Sequence, residues 1–154
     1  MTGVQTCALP ISWTDPSVQP LRRVPYPSTP ENVEKNVQQE PTLAGQLFVK
    51  QYGLARWDAQ RVDATIDFAE RWSKLHHAPV YCGEFGVHRP FAEEAMRAHW
   101  LRDMRIALEK HHIGWAMWDY QDNFGVVTKQ NGNTIPDPLI LDALGLSPAK
   151  VNSP

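Results

Sequence analysis

The chain has 154 residues, enough for one domain with a core of its own, and a formal net charge of −2. That balance gives no electrostatic case for nucleic acid or an anionic membrane surface as partner, and no apolar run approaches the ~18 residues of a membrane helix. The two cysteines, Cys7 and Cys82, suggest no disulfide framework, no Cys/His spacing reads as a zinc site, and no cofactor is implied.

The first residues, MTGVQTCALPIS, lack a charged segment, and their apolar stretch is too short for a signal peptide. TGVQTCALPI resembles the translation of a sequencing-adapter oligonucleotide. Residues 1–11 are therefore expected to be an adapter-derived artefact, disordered, with no role for Cys7. On that reading the chain is a fragment whose frame begins where a sequencing read began.

Residues 12–30 are rich in proline and turn formers and read as an irregular loop. A helix should start with Thr29 as N-cap and Pro30 at the first helical position, and Pro41 should interrupt it. A mixed segment runs to about Tyr52. The next helix has Asp58 as N-cap and Trp57 placed to staple onto Val62. It runs to about Leu75, with Val62, Ile66, Ala69 and Trp72 as its buried face.

APVYCGEF then reads as a short apolar strand. Pro90 should open a long helix to about His112, with Leu101, Met104 and Leu108 on one stripe. IGWAMWDY is a second short strand. A turn-rich loop with Asn131-Gly132 at its tip follows. Asp137-Pro138 caps a last short helix that ends at Gly145, and residues 147–154 are a tail. Both strands are apolar on both faces, the mark of parallel strands covered by helices. Strand, helix, strand with a crossover of roughly 20 residues is a βαβ unit.

Side chains alternate along a strand. Val80, Cys82 and Glu84 should share a face of the first strand, and Gly114, Ala116 and Trp118 a face of the second. Glu84 and Trp118 then stand at the carboxyl ends of two parallel strands, where β/α folds keep their ligands. Gly83 and Gly86 would leave space around the carboxylate, Gly114 and Ala116 space beneath the indole. Taken singly, each has an ordinary reading: Glu84 as a paired or capping glutamate, Trp118 as a core aromatic. Their joint placement favours a site.

PVYCGEFGV followed by GWAMWDYQDNFGVV resembles the last two β/α units of glycoside hydrolase family 5, the cellulase and endoglucanase family. SWTDPSVQPLRRVPYP resembles the loop after that family's sixth strand. The resemblance implies an α/β fold: the C-terminal portion of a (β/α)8 TIM barrel, strands seven and eight with their helices, over residues 12–146. It implies retaining hydrolysis of β-linked glucans or mannans, with Glu84 as nucleophile and Trp118 under the sugar at the cleavage site. Trp13 and His88 would line the same cleft, and Asp122 would offer a substrate hydrogen bond. The partner implied is a β-linked polysaccharide or oligosaccharide, and the parent would be a secreted or periplasmic monomer.

The chain departs from the family where the acid/base glutamate is concerned. Gln39-Glu40-Pro41 mimics its motif, but no strand precedes it, so Glu40 is rejected. A nucleophile without an acid should be inactive alone. His76-His77 and His111-His112 sit near helix ends, where an imidazolium favours the dipole. Asp119, Asp122 and Asn123 read as loop capping, and Cys82 as a small buried hydrophobe. The alternatives are a non-catalytic carbohydrate-binding module or an α/β interaction domain. A binding module would show a β-sandwich pattern, and the long helices speak against it.

Overall fold

The computed structural model describes residues 22–146. Residues 1–11 and 147–154, and Trp13 with them, lie outside that range. Five helices and four short strands follow in the order α1 (Pro30–Gln39), α2 (Leu43–Leu54), α3 (Ala59–His76), β1 (Tyr81–Phe85), α4 (Glu94–Lys110), β2 (Gly114–Met117), β3 (Val127–Gln130), β4 (Asn133–Pro136) and α5 (Pro138–Ala143).

The helix starts follow local chemistry. Thr29 caps α1 in a reciprocal box with Asn32, and Pro30 opens the helix. The Asp58 carboxylate accepts the Arg61 amide at 2.8 Å and starts α3. Asp137 does the same for α5, which ends before Gly145 at φ +67, a left-handed position that glycine takes without strain.

Pro90 does not open a long helix. It lies in a 3-10 turn over Arg89–Phe91, and α4 begins after Glu93. The turn is held from outside: the Arg89 amide donates to the Asn123 carbonyl at 2.7 Å. The stretch around Asn131-Gly132 is a β-hairpin, not a bare loop: β3 and β4 pair antiparallel from Val127↔Pro136 to Gln130↔Asn133. Asn131 and Gly132 both have positive φ, as a two-residue hairpin turn of the tighter kind requires.

β1 and β2 pair in parallel, with α4 as their crossover. The main core gathers round α4: Trp100, Leu101, Met104 and Leu108 are buried against Val62 and Ile66 of α3, Phe85 of β1 and Ile140 of α5. A smaller core of Val33, Val49 and Tyr52 joins α1 to α2, and Trp57 touches both.

Trp72 does not continue the buried face of α3, being 39% exposed. At about 100° per residue it lies roughly 60° beyond Ala69 round the helix. It belongs instead to a second apolar stripe with Phe68 and Leu75, exposed on α3. On α2, Leu43, Leu47 and Leu54 form another exposed stripe.

Candidate functional site

The site begins with an irregularity in the β1–β2 register. Tyr81 pairs with Gly114 and Cys82 with Trp115, but the next pair is Phe85 with Met117. Gly83 and Glu84 therefore stand opposite Ala116 alone, a β-bulge. The extra residue shifts the alternation by one. Cys82 and Phe85, not Cys82 and Glu84, share the core side, and Glu84 is left exposed. The expected common face of Val80, Cys82 and Glu84 is thus broken. The Cys82 thiol spans the bulge and donates to the Glu84 carbonyl at 3.6 Å. Cys82 itself is half-buried, and burial raises its pKa.

On β2, Trp115 and Met117 pack against the core, which puts Gly114, Ala116 and Trp118 on the opposite side by alternation. The Trp118 amide donates to the Phe85 carbonyl at 2.8 Å, and the residue is 50% exposed. Glu84 and Trp118 therefore close the carboxyl ends of two neighbouring parallel strands, both open to solvent. The Trp118–Asp119 peptide is cis.

Gly83 leaves space as expected, whereas Gly86 and Gly114 serve other purposes. A Cβ on Gly86 would collide with the Trp118 carbonyl, so Gly86 allows the two strand ends to meet. The space over Gly114 is filled by the Tyr81 ring, 3.1 Å from a Cβ there, so it is not reserved for the Trp118 indole. Gly83 is open: the nearest atom to its Cβ position is 4.0 Å away.

His88 is half-buried, with its ring against Phe91 at 4.7 Å and Phe124 at 5.1 Å. Its Nδ1 is buried without a hydrogen-bond partner, and burial lowers its pKa. Asp122 is exposed. Its amide donates to the Asp119 carboxylate at 2.9 Å and its carbonyl accepts from Gly125, so Asp119 caps this turn as expected.

Sequence reasoning missed the group beneath these loops. Arg97 of α4 is 1% exposed. Its Nε donates to the Val87 carbonyl at 3.1 Å, and its Nη2 to Phe124 and Gly125 carbonyls at 2.6 and 2.8 Å. Arg89 donates to Gly125 and Val127 carbonyls. Both guanidinium groups face Asp137, at 3.6 Å from Arg89 and 3.7 Å from Arg97. Burial, and after it the Arg89 charge, lowers the Arg97 pKa to about 10, so it stays cationic at neutral pH. The signal was present: Arg97 precedes Leu101, Met104 and Leu108 on the apolar stripe of α4, where a charge needs a reason.

At the other end of α4, His111 lies between Glu70 and Asp63, at 2.7 and 3.1 Å. Lys74 binds Glu70, and Lys110 binds Asp63, each at 2.6 Å. The Lys74 hydrogen bond, then that of His111, holds the Glu70 pKa down to about 2. Asp67, Glu70 and His111 could offer donors to a metal within 4.8 Å of one another, but Arg71 and Lys74 already neutralise the two carboxylates.

No family model matches the chain, and no curated protein matches it significantly. Solved structures do. Cellulose synthase subunit Z from Clostridioides difficile aligns with a TM-score of 0.51 and 29% identity, over 56% of this chain and 28% of that one. Thermotoga maritima Cel5A in complex with cellobiose gives 0.51 and 29%, over 56% and 27%. The same enzyme in complex with mannotriose gives 0.53 and 26%, over 68% and 33%. The chain thus spans about a third or less of the length of these structures.

The fold is that of a mixed α/β unit matching part of a TIM-barrel enzyme, with no closed barrel among the described residues. The neighbours are cellulases and endoglucanases of glycoside hydrolase family 5, and the chain resembles a part of them.

Proposed function

We propose that the chain supplies the seventh and eighth strand–helix units of a retaining family 5 glycoside hydrolase, with residues 12–146 as the C-terminal part of its catalytic barrel. The observation that carries this reading is the placement of an exposed carboxylate and an exposed indole at the carboxyl ends of two adjacent parallel strands. The exposed stripes on α2 and α3 support it, because a larger barrel would cover them.

Glu84 is the nucleophile. Exposed on the bulge, it is free to attack an anomeric carbon and form a glycosyl-enzyme, which water then opens. Trp118 is the platform, offering a flat apolar surface to the C–H face of the sugar. Asp122, exposed on the same loop, offers a hydroxyl contact, and His88 lines the loop base. Retaining chemistry needs a second carboxyl group ~5 to 5.5 Å from the first. Glu40 does not supply it: it is buried at the end of α1, where Thr42 donates to it at 3.3 Å. The acid therefore comes from the remainder of the barrel, and the chain alone is inactive. The substrate class is a β-linked glucan or mannan, in keeping with the cellobiose and mannotriose bound by Cel5A.

The test is reducing-sugar release from soluble cellulose and mannan derivatives by a full-length parent barrel, wild type against Glu84→Gln. The substitution should abolish turnover and leave glycan binding largely intact. Near-normal activity in Glu84→Gln would remove Glu84 from the mechanism.

A further inference from the structure

We propose that Arg97 is a positioning residue that locks the Glu84-bearing loop to the Trp118-bearing loop, fixing the nucleophile against the sugar platform. The inference rests on the glycosidase reading for its purpose and on geometry for its content.

The guanidinium reaches both loops at once. Val87, whose carbonyl accepts from Nε at 3.1 Å, follows Glu84 by three residues. Phe124 and Gly125, whose carbonyls accept from Nη2 at 2.6 and 2.8 Å, close the loop that Trp118 begins. Nη1 turns toward Asp137 at 3.7 Å. The two loops also meet where Gly86 lies against the Trp118 carbonyl and where the Arg89 amide binds Asn123. Arg97 is the group that reaches this junction from the helix behind it.

Core packing does not explain an arginine here. Leu or Met at this place on the stripe would pack without a desolvation cost. All three carbonyls that Arg97 binds belong to loops, and each would lose this donor to an apolar replacement, with Gly125 keeping only its bond from Arg89. The planar fork also fixes the directions of its bonds, which a lysine ammonium does not. Three carbonyls held by one rigid plane cannot drift independently, so the distance from Glu84 to the sugar face is set by α4.

The experiment uses the full-length parent with Arg97→Lys and Arg97→Met, a cello-oligosaccharide as substrate, and amide hydrogen exchange read peptide by peptide. Arg97→Lys keeps the charge but loses the fork and one bond of reach, and it keeps the proposal falsifiable if Arg97→Met does not fold. In Arg97→Lys, kcat should fall about tenfold to a hundredfold, the scale of a misplacement near 1 Å, while KM changes little. Exchange should rise in residues 86–91 and 119–126 together, with α3 unchanged. Wild-type kcat in Arg97→Lys, or faster exchange in one loop without the other, overturns the clamp while the glycosidase reading stands. If the wild-type parent hydrolyses no glycan, the glycosidase reading fails, and the catalytic purpose of the clamp fails with it.

Discussion

The two ends of α4 hold charge in opposite ways. Near its start, Arg97 is enclosed, and its hydrogen bonds go to backbone carbonyls of two loops. At its end, His111 is also buried, but its partners Asp63 and Glu70 reach solvent and share themselves with Lys110 and Lys74. A cation bound to carbonyls dictates where a backbone runs. A chain of side-chain hydrogen bonds and ion pairs joins two helices but leaves their backbones where the apolar seam of Val62, Ile66, Met104 and Leu108 already puts them. The first arrangement belongs under a site, the second on the flank of a fold. Disturbing the two ends should therefore have unequal consequences.

The largest effect is expected at the loop end, from Asp137→Ala. Asp137 is 8% exposed, faces both Arg97 and Arg89, and caps α5 through the Ile140 amide at 3.2 Å. Removing one partner of a buried charge cluster costs about 3–5 kcal/mol, and the lost cap forms part of that loss. Asp137→Asn should keep the cap and lose the charge, recovering about 1 kcal/mol. Denaturant unfolding of wild type and both variants gives both numbers. Equal stability of the two variants would show that the cap contributes nothing.

A middle effect is expected at the other end. His111→Gln keeps polarity but removes the bridge, at an expected cost of about 1–2 kcal/mol. The same cluster sets an acid dependence. The folded pKa of Glu70 is about 2, below its ordinary 4.5, and that of Asp63 is also lowered. Glu70 therefore contributes stability that is present above pH 4.5 and lost as the pH falls toward 2, and Asp63 acts in the same direction below its own ordinary 3.8. Lys74 is the first cause for Glu70 and Lys110 for Asp63. Lys74→Met with Lys110→Met should flatten stability against pH in that window. An unchanged slope would place the acid sensitivity elsewhere.

Much of this was legible in the sequence, because it depends on neighbours in the chain. Thr29, Asp58 and Asp137 start their helices as their side chains dictate, and Gly145 ends the last one. The parallel strands and the strand-end positions of Glu84 and Trp118 follow from apolar runs on either side of a helix. What escaped depends on neighbours across space. The bulge at Gly83-Glu84 arises from pairing with β2; Gly83 is the kind of residue that marks a bulge within a strand, but it does not by itself say that the alternation shifts. Strict alternation would have placed Glu84 on the core side with Cys82. The β3–β4 hairpin carried its signal in Asn131-Gly132, but its flanks, VTKQ and NTIP, are too polar to read as strands. Arg97 was visible as a charge on an apolar stripe, yet its partners are loop carbonyls that no sequence pattern marks.

The smallest effect sharpens the contrast most. Arg71 and Asp67 make a contact of 2.7 Å, among the short ion pairs of the molecule, shorter than the 3.7 Å between Arg97 and Asp137. Distance alone would rank it above the clamp. But the Arg71 side chain is 69% exposed and that of Asp67 37%, so water competes for both charges and salt screens them. The pair lies one turn apart on α3, where such contacts contribute about 0.3–0.5 kcal/mol. Arg71→Ala should therefore move the melting temperature by no more than about 2 °C, and that small change should shrink further in 1 M salt. Asp137→Ala should keep its full cost at the same ionic strength, because buried pairs are screened much less. A salt-insensitive loss of several degrees in Arg71→Ala would mean that the flank of α3 is organised by its charges, and the distinction between the two ends of α4 would fall.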